Sequence, residues 1–388
     1  MKQDNDLRNN LKQTRIGLGM SQQDLAKVAG VSRQTISGVE SGRYAPSATI
    51  ALRLAKVLGC RVEELFWLES DLPNIEAVSA KTVSYGQRLP LSLARVGGQW
   101  LAYPLVGEDA FRMEMIPTDG EGERKINTDR LQVKLLESPE KLQHTVVLAG
   151  CTPAMSLWAR ATERWHPETR VHWSFANSMA ALESLCRGEI HVAGMHLYSP
   201  QTGEYNTPFV RRAPASRATV LFNLFNLGVW EEGLLIQLGN PKGLKTVTDL
   251  AQPEVTIVNR ETGAGCRQLL ERLLQESGVP FEAVKGFNQI VRSHLEVAQA
   301  VASRSADAGI STASMAAAFG LGFIPLHQSR YDLVVIKDYL EEPPVQQLLS
   351  TLQHRWIHSQ LKVLGGYDTS QTGDIVATIS ASTDQGEG

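Results

Sequence analysis

Three segments place Ser, Thr, Asn, Cys or Gly where a strand is expected to end and a helix to begin. They are "LAGCTPAM" (148–155), "SFANSMAAL" (174–182) and "NRETGAGCRQLL" (259–270). Helix starts leave backbone N–H groups unpaired and carry partial positive charge, so several of them together favour a small anion. The segments therefore predict an oxyanion site whose ligand-binding residues are Cys151, Thr152, Asn177, Ser178, Arg260, Thr262, Gly263, Gly265, Cys266 and Arg267.

The chemistry of the two cysteines in these segments stays open. Soft thiols at Cys151 and Cys266 would alter ligand preference or make the site redox-sensitive, or simply fill apolar space. An enzyme would use either one as a nucleophile with His196 or His294 as base, although no His adjoins either Cys in the chain. We therefore expect no enzyme. We also expect no metal site, because the four cysteines show no zinc-type spacing. "TGAGCR" also lacks the phosphate-binding and dinucleotide motifs.

Helices are expected to dominate the first 68 residues. Apolar side chains recur there at helical spacing, which predicts five short helices. Capping residues mark the helix starts, with Ser21 and Asp24 before one helix and Ser32 before the next. Gly30 supplies the tight turn between those two helices. The stretch from Gly30 to Pro46 is polar on one face and regularly apolar on the other.

The segment "SQQDLAKVAGVSRQTISGVESGRYAPS" (21–47) resembles the helix-turn-helix of the lambda repressor and Cro type, the XRE family. The resemblance covers about residues 7–68 and implies a helix, Ser32 to Glu40, that enters the major groove of a double-stranded DNA operator. It also implies a homodimer on a two-fold site. The alternative is a helical protein-interaction bundle with a solvated polar face. The implied DNA-binding residues are Arg33, Gln34 and Ser37 as base readers, Gln22, Thr35, Ser41 and Arg43 on phosphates, and Ser32 at the start of the helix.

Charge is unevenly distributed along the chain. Residues 1–69 carry ten Lys/Arg and seven Asp/Glu, a net +3, which leaves 28 and 34, a net −6, for the rest. This asymmetry points weakly to a polyanion partner for the N-terminal part. The apolar run "ATVLFNLFNLGVW" (218–230) is too short for a membrane span, and the N-terminus lacks the apolar core of a signal peptide. We therefore expect a reduced, cytoplasmic protein with no membrane partner.

After the helical region the sequence predicts a change of architecture. Two β-type runs flank Gly97-Gly98, a hairpin signal, and strands then alternate with helices from about residue 144. This alternation predicts a parallel sheet with helices on both faces. The expected domains are a helix-turn-helix domain (1–69), a linker (70–87), a small β segment (88–143), an α/β domain (144–366) and a disordered tail (367–388).

The α/β region resembles the periplasmic-binding-protein-like domain found fused to XRE-type modules and to molybdopterin-biosynthesis proteins. The residues that carry this resemblance are "RGEIHVAGMHL", "TGEYNTPFVRR", "LGNPKGLKTVTDLA", "VNRETGAGCR", "ADAGI" and "YDLVV". It implies a multidomain chain in which an all-α N-terminal domain precedes a two-lobed α/β domain that closes over a ligand. Several family members bind molybdate or tungstate, so the resemblance implies a transcriptional regulator that senses such an effector.

Two further ligand donors are expected in this domain, His196 in "AGMHL" and Tyr205. A lone His at a strand end is more often a structural residue, so these two assignments are weaker than the helix starts. The sequence leaves a different effector open, such as an organic anion or a molybdenum-cofactor intermediate. It also leaves open an enzyme that uses Cys266 or Cys151.

Overall fold

The chain divides into two compact units, Met1–Pro73 and Asn74–Gly388. The computed structural model describes residues 7–68, 73–81, 89–110, 116–126, 129–213 and 220–380. Within these ranges no helix is long and apolar enough to cross a bilayer.

The first unit is a bundle of five short helices closed by a two-stranded ribbon, as the apolar spacing predicted. Leu11, Leu25, Ile36, Leu54 and Leu65 form the centre of its core and are all fully buried. The strands pair antiparallel, with Leu7 opposite Leu68, which joins the two ends of the unit. The elements are β1 (Leu7–Asn9), α1 (Leu11–Gly17), α2 (Gln22–Ala29), α3 (Arg33–Glu40), α4 (Ala48–Leu58), α5 (Val62–Leu65) and β2 (Phe66–Leu68).

Side-chain caps set the helix starts in this unit. The Ser21 hydroxyl accepts from the backbone N–H of Asp24, whose carboxylate accepts from the Ser21 N–H, so both halves of a capping box are present. Ser32 caps α3 in the same way through the N–H of Thr35. Gly30 ends α2 in the left-handed conformation at φ 69°. These contacts confirm the predicted helix-turn-helix between α2 and α3.

The second unit opens with a small closed β-barrel in which β3 pairs with β5 and β7. The turn at Gly97-Gly98 joins Val96 to Gln99 as a two-residue hairpin, as predicted. The barrel rests on the α/β region, since the Tyr103 hydroxyl donates to the Glu189 carbonyl at 2.5 Å. Its elements are β3 (Asn74–Ser79), β4 (Leu89–Val96), β5 (Gln99–Pro104), β6 (Gly120–Lys125) and β7 (Arg130–Leu135).

The predicted linker over 70–87 was wrong in part, because 74–79 form a strand of this barrel. Ile75 lies opposite Val133 and Ala77 opposite Leu131, so β3 is held by residues more than fifty positions away. Such non-local pairing leaves no periodic signal in a six-residue segment. The β domain thus begins at 74 rather than 88, while 70–72 and 82–87 of the predicted linker lie outside the described residues.

One mixed sheet organises the rest of the unit, in the order β16-β13-β17-β10-β8-β9. Strands β8, β9 and β10 are mutually parallel, as the alternating pattern predicted, but β13 and β17 are long and antiparallel. The strands are β8 (Thr145–Gly150), β9 (Arg170–Phe175), β10 (Val192–Met195), β11 (Tyr198–Ser199), β12 (Glu204–Tyr205), β13 (Leu221–Ile236), β14 (Asn259–Arg260), β15 (Ile290–Val291), β16 (Ala308–Thr312), β17 (Gly322–Ile336), β18 (Tyr367–Asp368) and β19 (Ile375–Ser380).

The long strands β13 and β17 pass through two separate hydrophobic cores, which define two lobes. Val147, Trp158 and Leu182 belong to the core of the first lobe, built on β8–β10. Leu250 and Leu269 belong to a core of the second lobe, built on β14, β16 and α10. The helices are α6 (Pro139–Leu142), α7 (Ala154–Trp165), α8 (Ser178–Cys186), α9 (Thr207–Arg211), α10 (Gly265–Glu276), α11 (His294–Ala302), α12 (Ala313–Phe319), α13 (Pro343–Ser350) and α14 (Arg355–Leu364).

The predicted disordered tail over 367–388 was wrong for its first part. Strands β18 and β19 both pair with β13, and Ile379 lies opposite Phe222. Tyr367 and Ile379 are buried against the first lobe, which outweighs the polar composition of the segment. Residues 381–388 lie outside the described residues.

Candidate functional sites

Helix α3 presents polar side chains on the surface of the first unit. Arg33, Gln34 and Ser37 are exposed on this helix, while Ile36 and Val39 are buried beneath it. The exposed set matches the base-reading residues that the XRE resemblance implied. Arginine and glutamine can each make two coplanar hydrogen bonds to one base, so this surface has the groups that sequence readout needs.

Several of the predicted phosphate contacts already have partners inside the unit. The Gln22 amide donates to Glu40 Oε2 at 2.8 Å. The Ser32 and Thr35 hydroxyls lie 2.9 Å apart at the start of α3, and the Ser41 hydroxyl donates to the Gly38 carbonyl at 3.1 Å. Arg43 is exposed just beyond the helix. Gln22 therefore ties α2 to α3, a structural role that the sequence did not reveal.

An ion pair anchors α3 to the rest of the unit. Arg15 Nε donates to Glu40 Oε1 at 2.6 Å, and Arg15 Nη1 donates to the Met20 carbonyl at 2.7 Å. The two side chains are only 8% and 4% exposed. Burial alone would raise the pKa of Glu40, but hydrogen bonds from Arg15 and Gln22 lower it below its ordinary value. Glu40 thus holds α3 as a carboxylate.

At the junction of the two lobes, six polar residues of reactive type lie together, each almost fully buried. They come from five strand ends or helix starts and from the middle of β13. We call them the buried cluster: Cys151, His196, Glu232, Arg260, Cys266 and His294.

Polar contacts of 2.9, 3.2 and 3.3 Å link four members of the buried cluster in a row. Cys151 Sγ lies 3.3 Å from His196 Nε2, and His196 Nδ1 lies 3.2 Å from Glu232 Oε1. The Cys266 thiol donates to the same Glu232 oxygen at 2.9 Å, and the Ser329 hydroxyl donates to the other. Glu232 therefore orients one imidazole from the first lobe and one thiol from the second.

Burial and charge pull the pKa values of the cluster apart. Burial would raise the pKa of the Cys151 thiol, but His196 lowers it well below its ordinary value. Burial would lower the pKa of His196, but Glu232 and Cys151 raise it, and Glu232 in turn has a lowered pKa. Burial and Glu232 both raise the pKa of Cys266, and burial lowers that of His294. These directions favour a thiolate at Cys151, an imidazolium at His196 and a carboxylate at Glu232, and they favour a neutral thiol at Cys266 and a neutral imidazole at His294.

Four buried nitrogen atoms of this region have no hydrogen-bond partner among the described residues: Arg260 Nη1, Trp230 Nε1, His294 Nε2 and His196 Nδ1, the last of which faces Glu232 Oε1 at 3.2 Å. The remaining Arg260 donors bind Glu261 and the Arg292 carbonyl, and His294 Nδ1 lies 3.0 Å from the Ser311 hydroxyl. The Trp230 and His294 ring centroids are 5.5 Å apart. An unpaired buried polar atom costs about 1–3 kcal/mol, so these atoms point to a bound group.

The structure brings the three predicted helix starts together around His196. Its backbone N–H donates to the Ser178 hydroxyl at 3.2 Å, and Cys151 contacts its ring. A Cβ added at Gly265 would lie 2.6 Å from the His196 ring, so only glycine allows α10 to approach this closely. The Gly263 carbonyl accepts from the Met179 N–H at 3.3 Å. The lobes are therefore in contact across the junction.

Other predicted ligand residues lie outside the buried cluster. Thr262 is exposed, and Arg267 pairs with Glu271 at 2.7 Å. The Tyr205 hydroxyl donates to the Gln328 carbonyl at 2.5 Å and lies 2.8 Å from His327 Nε2. Asn177 caps α8, and its amide also donates to the Thr262 carbonyl of the second lobe at 3.4 Å. The Thr152 hydroxyl lies 3.0 Å from that of Tyr367 within the first lobe.

Sequence reasoning missed Glu232, Trp230 and Ser311. The one signal for Glu232 was its place in the long apolar strand β13, where a buried carboxylate needs a partner. The sequence also predicted no metal ligands, yet the ligand atoms of Cys151, His196 and His294 all lie within 4.8 Å of one another. A groove of about 1130 Å³ reaches Cys151 and His294 from the surface of the unit.

Comparisons with known proteins agree with both parts of the chain. The PBP superfamily domain matches residues 159–353 and a helix-turn-helix family matches residues 11–65. The uncharacterized protein YvgK of Bacillus subtilis is 32% identical over 62% of this chain and 78% of its own length. The uncharacterized HTH-type transcriptional regulator MJ0272 of Methanocaldococcus jannaschii is 45% identical over 17% of this chain and 98% of its own length. These matches confirm the two resemblances that the sequence predicted.

The solved structures add a distant likeness in fold. An ABC-type phosphate transport receptor from Vibrio cholerae aligns with a TM-score of 0.40 and 16% identity, over 57% of this chain and 98% of that chain. Likeness at this level carries no information about the ligand.

Proposed function

The chain belongs to the PBP superfamily and carries an XRE-type helix-turn-helix domain, and we propose that its DNA binding responds to a small oxyanion enclosed between the lobes. The family matches identify the chain as a helix-turn-helix transcriptional regulator fused to a PBP-like ligand-binding domain. The proposal adds the class of ligand, with molybdate and tungstate as the first effectors to test, and a homodimer as the DNA-binding form.

The observation that carries the ligand class is the set of unpaired nitrogen atoms in a buried site. Arg260, Trp230 and His294 are each 1% exposed and each keeps one nitrogen without a partner among the described residues. An oxyanion accepts hydrogen bonds in several directions, and one such ligand would satisfy donors of this kind together. Arg260 already pairs with Glu261 through Nε and Nη2, so what it would offer the anion is the charge-assisted Nη1 donor.

The DNA-binding half of the proposal rests on the exposed face of α3. Arg33, Gln34 and Ser37 would read base edges, and Arg43 would hold a phosphate beside them. One recognition helix contacts only a few base pairs, so two copies would bind a two-fold site.

Control by the ligand requires that it bind two conformations of the protein with different affinity. Strands β13 and β17 run through both lobes and are the natural path for a closing motion. In the structure the lobes already touch through Met179 and Gly263, and through His196 and Gly265. We propose that the oxyanion stabilises this contact and so favours one DNA-binding state.

The test is a calorimetric titration of the purified chain with molybdate, tungstate, sulfate and phosphate. We expect one of these anions to bind, and Arg260→Gln to weaken it at least tenfold. Arg267→Gln is the matched control, because Arg267, like Arg260, is paired to a neighbouring glutamate but lies outside the buried cluster and is less buried. Equal losses in both variants, or no binding of any of the four anions, would refute the oxyanion proposal.

One observation favours a second candidate function, a thiol-dependent enzyme. Cys151, His196 and Glu232 form a thiol, imidazole and carboxylate row with separations of 3.3 and 3.2 Å, which is the order that activates a nucleophile. Such a thiol should react with iodoacetamide faster than the buried Cys186, at a rate that falls in His196→Gln. Equal alkylation rates for the two cysteines would remove this candidate.

A further inference from the structure

We infer that Cys151, His196 and His294 bind a thiophilic metal cation, for which Zn²⁺ is the probe. The inference deepens the proposed function and rests on it, because the cation would lie in the same lobe junction and present an open position to the anion. All three side chains are almost fully buried, at 4%, 3% and 1% exposure. Buried thiolate and imidazole groups in one place are the ligands that zinc and other soft metals prefer.

The spacing of the ligand atoms fits one ion. Cys151 Sγ and His196 Nε2 are 3.3 Å apart, and the three ligand atoms lie within 4.8 Å of one another. Zn–S bonds of about 2.3 Å and Zn–N bonds of about 2.0–2.1 Å at tetrahedral angles separate such atoms by about 3.3–3.6 Å. A rotation of the His294 side chain that moves its ligand atom by about one bond length would bring all three ligand atoms to the spacing that one ion requires.

The surroundings orient both imidazoles as a metal site requires. His196 Nδ1 lies 3.2 Å from Glu232 Oε1, which leaves Nε2 directed at Cys151. His294 Nδ1 lies 3.0 Å from the Ser311 hydroxyl, and its Nε2 has no partner among the described residues. A carboxylate or hydroxyl on the far nitrogen fixes the tautomer and turns the other nitrogen toward the metal.

Three protein ligands leave a fourth position open, as in sites that bind a further ligand on the metal. The groove of about 1130 Å³ that reaches Cys151 and His294 gives a route for the cation and for that further ligand. Arg260, with Nη1 unpartnered among the described residues, supplies a second positive group in the same cluster. The fourth ligand that this arrangement suits is an anion, which links the cation to the proposed effector. With His294 Nε2 bound to the cation, that anion would be held by the cation and by the Arg260 and Trp230 donors.

The experiment measures metal content and affinity in the full-length protein. Protein stripped with a chelator is dialysed against Zn²⁺, assayed by elemental analysis, and titrated in competition with a zinc-binding dye. We expect one equivalent of zinc in the native chain and none in Cys151→Ser or His294→Gln. Cys186→Ser is the matched control, since Cys186 is a buried thiol outside the cluster, and it should bind zinc as the native chain does.

Two further measurements protect the test against variants that fail to fold. Co²⁺ in place of Zn²⁺ should give a thiolate-to-cobalt charge-transfer band that is lost in Cys151→Ser but kept in Glu232→Gln. Glu232→Gln should bind zinc about 10–100-fold more weakly, because it removes only the group that orients His196. Circular dichroism of each variant establishes that the fold is retained.

Absence of stoichiometric zinc in the native chain, or zinc binding unchanged by Cys151→Ser and His294→Gln, would overturn the inference. The anion titration is repeated on stripped protein. If the stripped protein still binds the anion but the native chain binds no zinc, the proposed function stands and only the cation site is refuted. Zinc binding with no anion bound, in contrast, supports the cation site and refutes the oxyanion effector.

Discussion

The replacement Arg15→Met should loosen the recognition helix without touching any residue that faces DNA. Arg15 makes three hydrogen bonds, two to the Glu40 carboxylate and one to the Met20 carbonyl, at 2.6, 3.2 and 2.7 Å. Methionine keeps the apolar stem of the side chain but lacks the guanidinium and therefore removes all three. Glu40 is then a covered carboxylate held only by Gln22.

Breaking a buried ion pair by removing one partner typically costs 3–5 kcal/mol, because the remaining charge is uncompensated. We take the lower end, about 3 kcal/mol, since the pair lies close to the surface of a small helical unit and water can reach the carboxylate after local relaxation. That energy corresponds to about a hundredfold rise in the population of opened molecules.

The assay is hydrogen exchange read by mass spectrometry on peptides from residues 33–40 in the full-length protein. Amides of α3 should exchange about a hundredfold faster in Arg15→Met, and peptides from β8 and β10 should be unchanged. In Arg15→Met/Glu40→Leu, which replaces the pair with apolar groups, protection should largely return. A single variant within a factor of three of the native chain, or a double variant as poor as the single one, would show that the pair does not hold α3.

Three other predictions concern Glu40, the exposed face of α3 and the lobe junction. The pKa of Glu40 is lowered in the folded state, so its contribution to stability is present above its unfolded pKa of about 4.3 and is lost as the pH falls through the folded pKa. The protection of α3 amides from hydrogen exchange should therefore drop in acid. Glu40→Gln should abolish that pH dependence. Arg33→Ala and Gln34→Ala should each weaken binding to an operator selected from random sequences by about 1–3 kcal/mol in a fluorescence titration, while binding to random DNA stays nearly constant. Gly265→Ala should weaken anion binding in calorimetry by about 1–3 kcal/mol, because the added Cβ would lie 2.6 Å from His196. An anion affinity equal to that of the native chain would show that the lobes do not need this close contact.

Much of the first unit follows from local sequence. Its helices are short, three of the five begin at a capping serine (Ser21, Ser32 and Ser47), and the turn needs Gly30 in a left-handed conformation. These signals act over three or four residues, so they are legible without a partner. The barrel strand at 74–79 and the strand at Ile375–Ser380 carried no such signal, because distant strands hold them in place.

At the lobe junction too, some features could be predicted from local sequence and others depended on tertiary packing. The helix starts that follow Cys151, Asn177 and Ala264 were predicted from residue type, and so was the proposed preference for an anion. That a buried thiol would meet His196, and that Glu232 would lie behind it, depended on the crossing of β13 between the lobes. The amino-acid sequence by itself determined the local elements and the family, whereas the partners of each buried charge were decided by tertiary packing, because contacts between residues far apart in the chain exist only once the sheet has formed.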